Sequence, residues 1–131
     1  MALASGVGDV VAFRLQSGAN IAADEANVVR EVVPFDCRVI AVTAGAQAAA
    51  GSTPFTDVDV TVMNGSTDLL ASKIAVMDSS TLAAPAAGTL STTSASLNLS
   101  SGDVLDLDVD TTGGSSPTLT ACFATVWAVR Q

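Results

Sequence analysis

The residues of this chain with the means to do chemistry are its carboxylates. In "TDVDVTVMNG" (residues 56–65) and "GDVLDLDVDTTGG" (residues 102–114), aspartates alternate with valine or leucine and run into a glycine turn. That spacing admits two readings, a site for metal or acid–base work, or the wet side of a β-strand. A calcium loop of the D-x-D-x-D-G type needs a curled backbone, a glycine and a distal bidentate glutamate. In "VLDLDVD" (residues 104–110) the spacers are strand formers and no glutamate follows. A straight strand holds same-face side chains roughly 6.5–7 Å apart, too far for Asp106, Asp108 and Asp110 to converge on one ion. These residues are therefore expected to form a solvated strand face, and no metal is expected. The turn after Asp110 is the best residual candidate.

Other chemistries have less to work with. The chain contains no histidine and no tyrosine. Ser-His-Asp and Cys-His arrangements are thereby excluded, along with the commonest general base. Asp36 beside Cys37 lacks a base partner and reads as turn chemistry. Ser72 and Lys73 could in principle form a Ser-Lys dyad, but they are expected as strand neighbours on opposite faces, which argues against it. Gly113-Gly114 opens no helical pattern, so no phosphate loop is indicated. A buried-carboxylate enzyme would have to draw on the thirteen acids, and their placement on exposed faces argues against it. The expectation is no enzyme, with no catalytic, cofactor-binding or metal residues and no cofactor. Trp127 is either a sugar-stacking platform or a core residue; in phase with Phe123 and Val129, it reads as core.

The elements that must position these residues are strands. "DVVAFRL" (9–15) precedes a polar stretch. "NVVREVV" (27–33) passes through a "PFD" turn into "CRVIAVTA" (37–44), proline separating the two. "DVDVTVM" (57–63) alternates with period two, placing Val58, Val60 and Val62 on one face. Asn64-Gly65 is the strongest hairpin signal, leading into "DLLASKIAV" (68–76). "SLNLS" (96–100), "VLDLDVD" and the long "TLTACFATVWAV" (118–129) follow. In the last, Leu119, Ala121, Phe123, Trp127 and Val129 share the face expected to supply much of the core. Cys122, Ala124, Val126 and Ala128 on the other face are small and apolar too, so this strand is expected to be covered on both sides. About eight short strands with no sustained helical periodicity predict an all-β sandwich or barrel. Two long connections, residues 45–56 and 77–95, are rich in Ala, Ser, Thr and Gly, and loops of that length are the natural contact surfaces.

Composition narrows the partners. With 131 residues, a single domain with one core is expected. Thirteen acids against five basic residues give a net charge of −8. Nucleic acid and acidic lipid surfaces both need clustered Lys and Arg, so neither is an expected partner. The N-terminus has no basic region ahead of its apolar residues and does not read as a signal peptide. No apolar run is long enough to span a bilayer. Synthesis in a reducing cytoplasm is expected, with Cys37 and Cys122 as free buried thiols; the alternative is a Cys37–Cys122 bridge, since both lie in expected strands.

The order of these pieces resembles small structural proteins of tailed bacteriophages. The features that carry the resemblance are the Pro34-Phe35 turn before "IAV" (40–42), the "DVDV" strand ending in Asn64-Gly65, and the "GDVLDLDVD" hairpin (102–110). Over roughly residues 27–129 the chain is similar to capsid decoration (cement) proteins and to jelly-roll modules of head fibres. The resemblance implies an eight-stranded antiparallel jelly-roll β-sandwich over residues 27–131. Residues 1–26 depart from it, carrying no signature of that family, and are expected to form an additional N-terminal strand with an arm reaching a neighbouring subunit, or a different attachment element. It implies a virion protein on the outer capsid surface, made in the host bacterial cytoplasm, that staples capsomers against the pressure of packaged DNA. Its partners would be the major capsid protein and copies of itself, a trimer before a dimer. The alternative is a glycan- or receptor-binding jelly-roll module of a tail fibre or baseplate. Residues 1–26, 45–56 and 77–95 are the expected contact elements, because small uncharged loops approach another backbone with little desolvation. The strand carboxylates are not.

Overall fold

Among the described residues, thirteen short strands, all paired antiparallel, form two sheets packed as a sandwich and a small third sheet. The computed structural model describes residues 8–131. The first large sheet runs β1 (Val10–Gln16), β13 (Phe123–Arg130), β3 (Cys37–Gly45), β10 (Asn98–Leu99), with β9 (Ala86–Ala87) also paired to β3. The second runs β2 (Glu25–Val32), β11 (Val104–Thr112), β5 (Asp57–Asn64), β7 (Ile74–Asp78), β8 (Thr81–Leu82), with β6 (Thr67–Asp68) on β5. The third pairs β12 (Thr118–Thr120) with β4 (Ala48–Ala50). The pairings nest: β5 with β7, then β3 with β9 and β10, then β2 with β11, then β1 with β13. Each pair encloses the one before it in the chain.

Alternation explains the core. Val58, Val60 and Val62 of β5 and Leu105, Leu107 and Val109 of β11 are buried, side by side in register. They face Val39, Val42, Ala124, Val126 and Ala128 of the first sheet in one continuous cluster. Gly65 (φ 61) is the first residue of the two-residue turn closing β5 onto β6. A positive φ is required there and only glycine adopts it freely.

The count of thirteen strands in place of eight has local causes. The expected run 68–76 breaks because Asp68 Oδ1 accepts from the Leu70 backbone N–H (2.9 Å), turning the chain after β6. Ser72 and Lys73 consequently lie in a bend before β7 and are not strand neighbours. The expected run 118–129 breaks at Ala121, which sits in the left-handed region at φ 51. That one residue flips the parity. Odd-numbered Leu119 is buried before it; even-numbered Ala124, Val126 and Ala128 are buried after it. Trp127, expected in the core, is thrown onto the outer face and is 39 % exposed. The two long connections carry β4, β8, β9 and a 3-10 turn at Ser94–Leu97.

Of the N-terminal segment, residues 1–7 lie outside the described residues. Its remainder supplies β1, with Phe13 and Leu15 in the core, and Ile21, which is buried and bridges to Leu119.

Candidate functional site

The aspartates of β11 point to the outer face of the second sheet, and each is held by a different partner. Asp106 Oδ1 accepts from Arg30 Nε at 2.9 Å across the β2–β11 pair. Asp108 Oδ1 accepts from the backbone N–H of Asn27 (φ 53) at 2.7 Å, where the β2–β11 register shifts. Asp110 Oδ2 accepts from Lys73 Nζ. A fourth carboxylate, Asp24, accepts from both the backbone N–H (2.6 Å) and the hydroxyl (2.8 Å) of Thr111. Those hydrogen bonds favour the charged form and lower its pKa. These carboxylates tie the edge strand β2 and the bend at Lys73 to β11.

The expectation of a wet face is corrected at one position. Asp106 is only 5 % exposed, because β2 and the Arg30 side chain cover it. Thr61, on the same face, is buried too and donates its hydroxyl to Asp68 Oδ1 (2.9 Å). Further along, Asp110 and Asp59 stand directly opposite in register, an arrangement that destabilises a strand pair through like charge. Lys73 offsets it, and hydrogen bonding to Asp110 raises the lysine pKa. Asp59 is pushed up by burial first and then by Asp57 and Asp110, with Lys73 opposing. Among the described residues no three His, Cys, Asp or Glu side chains converge on a common point, and no pocket opens. Cys37 and Cys122 are buried free thiols. Burial pushes the Cys122 thiol up to about 11 and raises Cys37 as well, with Asp36 and Asp103 adding to the latter.

The opposite outer face differs in kind. Register places Val10, Val129 and Arg38 in one row across β1, β13 and β3, then Ala12, Trp127 and Ala41, then Arg14, Thr125 and Thr43. A bulge between Trp127 and Ala128 brings Ile40 to the surface as well. Val10 (59 % exposed), Ile40 (47 %) and Trp127 form an apolar strip with Arg38 near one end and Arg14 near the other. The Trp127 indole N–H donates to Thr43 Oγ1 at 3.4 Å, a long hydrogen bond from β13 to β3.

Charge is divided between the sheets. None of the thirteen acids lies in a strand of the first sheet, while three of the five cations, Arg14, Arg38 and Arg130, do. Arg14 stacks over Phe123 (5.1 Å to the centroid) and Arg130 over Phe35 (4.4 Å). Arg38 donates to Asn98 Oδ1 (2.8 Å) and Ser94 Oγ (3.0 Å). Among the described residues the two ion pairs are Arg30–Asp106 and Lys73–Asp110, both on the second sheet. Sequence reasoning missed this apolar, arginine-bearing face. Comparing acids strand by strand would have revealed part of it, since "CRVIAVTA" and "TLTACFATVWAV" contain none.

No family model, curated protein or solved structure matches the chain.

Proposed function

We propose that this chain is a capsid decoration protein, a jelly-roll module that sits on the outside of a tailed-phage head and staples neighbouring capsomers. The observation that carries the reading is the nested pairing. Taking β1, β2, β3, β5, β7, β10, β11 and β13 as the eight principal strands, the orders β1-β13-β3-β10 and β2-β11-β5-β7 are those of a hairpin rolled into two sheets. Such an order supports a jelly-roll, an arrangement common among viral capsid and lectin domains. Strands β4, β6, β8, β9 and β12 are two- or three-residue additions to it.

The partners on this reading are the major capsid protein and copies of the chain itself, a trimer before a dimer. An acidic surface suits a protein that must stay soluble and leave packaged DNA alone. Many modest contacts repeated over a shell sum to a large stabilisation. The elements that meet the capsid on this reading are residues 1–26, 45–56 and 77–95. The test is the heat and low-salt stability of heads with and without the protein. Equal stability of the two sinks the stapling role.

The exposure of Trp127 favours a second reading, a glycan-binding module of a tail fibre or baseplate, because an exposed indole on a sheet can serve as a stacking platform for a sugar ring. Specific signal on a glycan array, abolished by Trp127→Ala, would put that reading first.

A further inference from the structure

We propose that the outer face of the β1-β13-β3 sheet is a docking surface for a second copy of this chain, and that the copy engages it with the free margin formed by β2. This deepens the self-association in the reading above and does not depend on a capsid.

Four observations lead to that occupant. The exposed large apolar side chains among the described residues are Val10, Ile40 and Trp127 on the face, and Val32 (57 % exposed) on β2. Charge matches in the same way. Arg14 and Arg38 on the face have no carboxylate partner, while Glu25 and Glu31 on β2 are exposed and have no cation partner among the described residues. Arg30, the cation of β2, is held by Asp106. In addition, among the described residues β2 pairs only with β11, leaving one side of its backbone unmatched, the sort of edge that recruits a partner. Finally, the other self-contacts are poorer. Face against face would bring arginines together with no acid between them. The middle of the second sheet offers Asp57, Asp59, Asp108 and Asp110 but no large exposed apolar residue.

The geometry also favours closure. The face and the β2 margin are different surfaces, so the contact is heterologous, each copy using both. β1 and β2 lie against each other at one side of the sandwich, so the two surfaces meet at a corner. Successive copies therefore turn instead of stacking straight, and a turning head-to-tail contact can close into a small ring.

Trp127 is the chain's single tryptophan and there is no tyrosine, so its emission reports this face alone. The experiment measures mass by light scattering and acrylamide quenching of Trp127 on the full chain, from micromolar to millimolar concentration. The expected result is a rise in mass accompanied by protection and a blue shift of Trp127. Arg14→Glu with Arg38→Glu should weaken association about a hundredfold, since like charges meet at the contact. Adding Glu25→Arg and Glu31→Arg to the same chain should restore it, which a misfolded variant would not do. A chain that stays monomeric with Trp127 open to quencher overturns the proposal. So does an oligomer whose Trp127 remains open, or a four-residue charge swap that fails to reassociate. Protection of Trp127 only on adding phage heads or a glycan would equally overturn it, assigning the face to that partner. Head stabilisation is read separately, so its failure would leave this result standing.

Discussion

Replacing Arg30 by methionine isolates the one carboxylate that the fold hides. The substitution keeps most of the aliphatic stem, so the packing over β11 is largely retained while the guanidinium is lost. Asp106, 5 % exposed, would then hold a charge without its 2.9 Å donor. Exposed ion pairs contribute about 0–1 kcal/mol, and breaking a fully buried pair costs about 3–5 kcal/mol. Arg30 itself reaches into water from the edge strand, which places this pair between the two limits. The cost of an unsatisfied buried acceptor, about 1–3 kcal/mol, is the applicable figure. Unfolding entropy near 2.1 cal/mol/K per residue gives about 0.28 kcal/mol/K for 131 residues. The loss should therefore read as a Tm decrease of about 4–11 °C by scanning calorimetry. Asp106→Asn keeps an acceptor oxygen and should cost less. Arg30→Met with Asp106→Leu should recover much of the loss, because no charge is then buried. An Arg30→Met protein melting within about 1 °C of the parent would refute the reasoning, reducing the pair to an exposed one.

Backbone strain makes two opposite predictions. Gly51 has φ 117, and a Cβ there would lie 2.3 Å from the Ser116 carbonyl oxygen, so Gly51→Ala should destabilise by about 2 kcal/mol or more in urea unfolding. Ala121→Gly relieves a left-handed alanine worth about 1–2 kcal/mol against about 0.5–1 kcal/mol of added chain entropy, so it should be neutral to slightly stabilising in the same assay. The Asp59 pKa is raised on folding, so the folded state binds its proton more tightly and stability falls as pH rises above the carboxylate's ordinary 3.8. Asp59→Asn should accordingly raise Tm at pH 7, with the gain vanishing as pH falls to the carboxylate range and below; an unchanged gain at low pH would contradict this. Cys37 and Cys122, both buried with raised pKa values, should react with a thiol reagent at pH 8 only after unfolding, and prompt reaction of either in the native protein would show the burial to be wrong.

The class of structure and the period of its parts are legible in the order of residues alone. Val58, Val60 and Val62 announce a strand with one dry face, and they are buried. The glycine after Asn64 announces a turn, and β5 folds back there onto β6. Alternation and turn chemistry are local, so they survive in one dimension. What alternation does not encode is which of its two faces turns inward, or where a single residue exchanges them. The left-handed Ala121 does so with nothing in its own side chain to announce it, and that alone moves Trp127 from the expected core to the surface. The burial of Asp106 likewise depends on Arg30, 76 positions away, which arrives only when β2 pairs with β11. The division of charge between the sheets has the same origin. Strands that alternate along the chain are sorted by long-range pairing, which gathers the acid-free ones into one sheet and most of the carboxylates into the other.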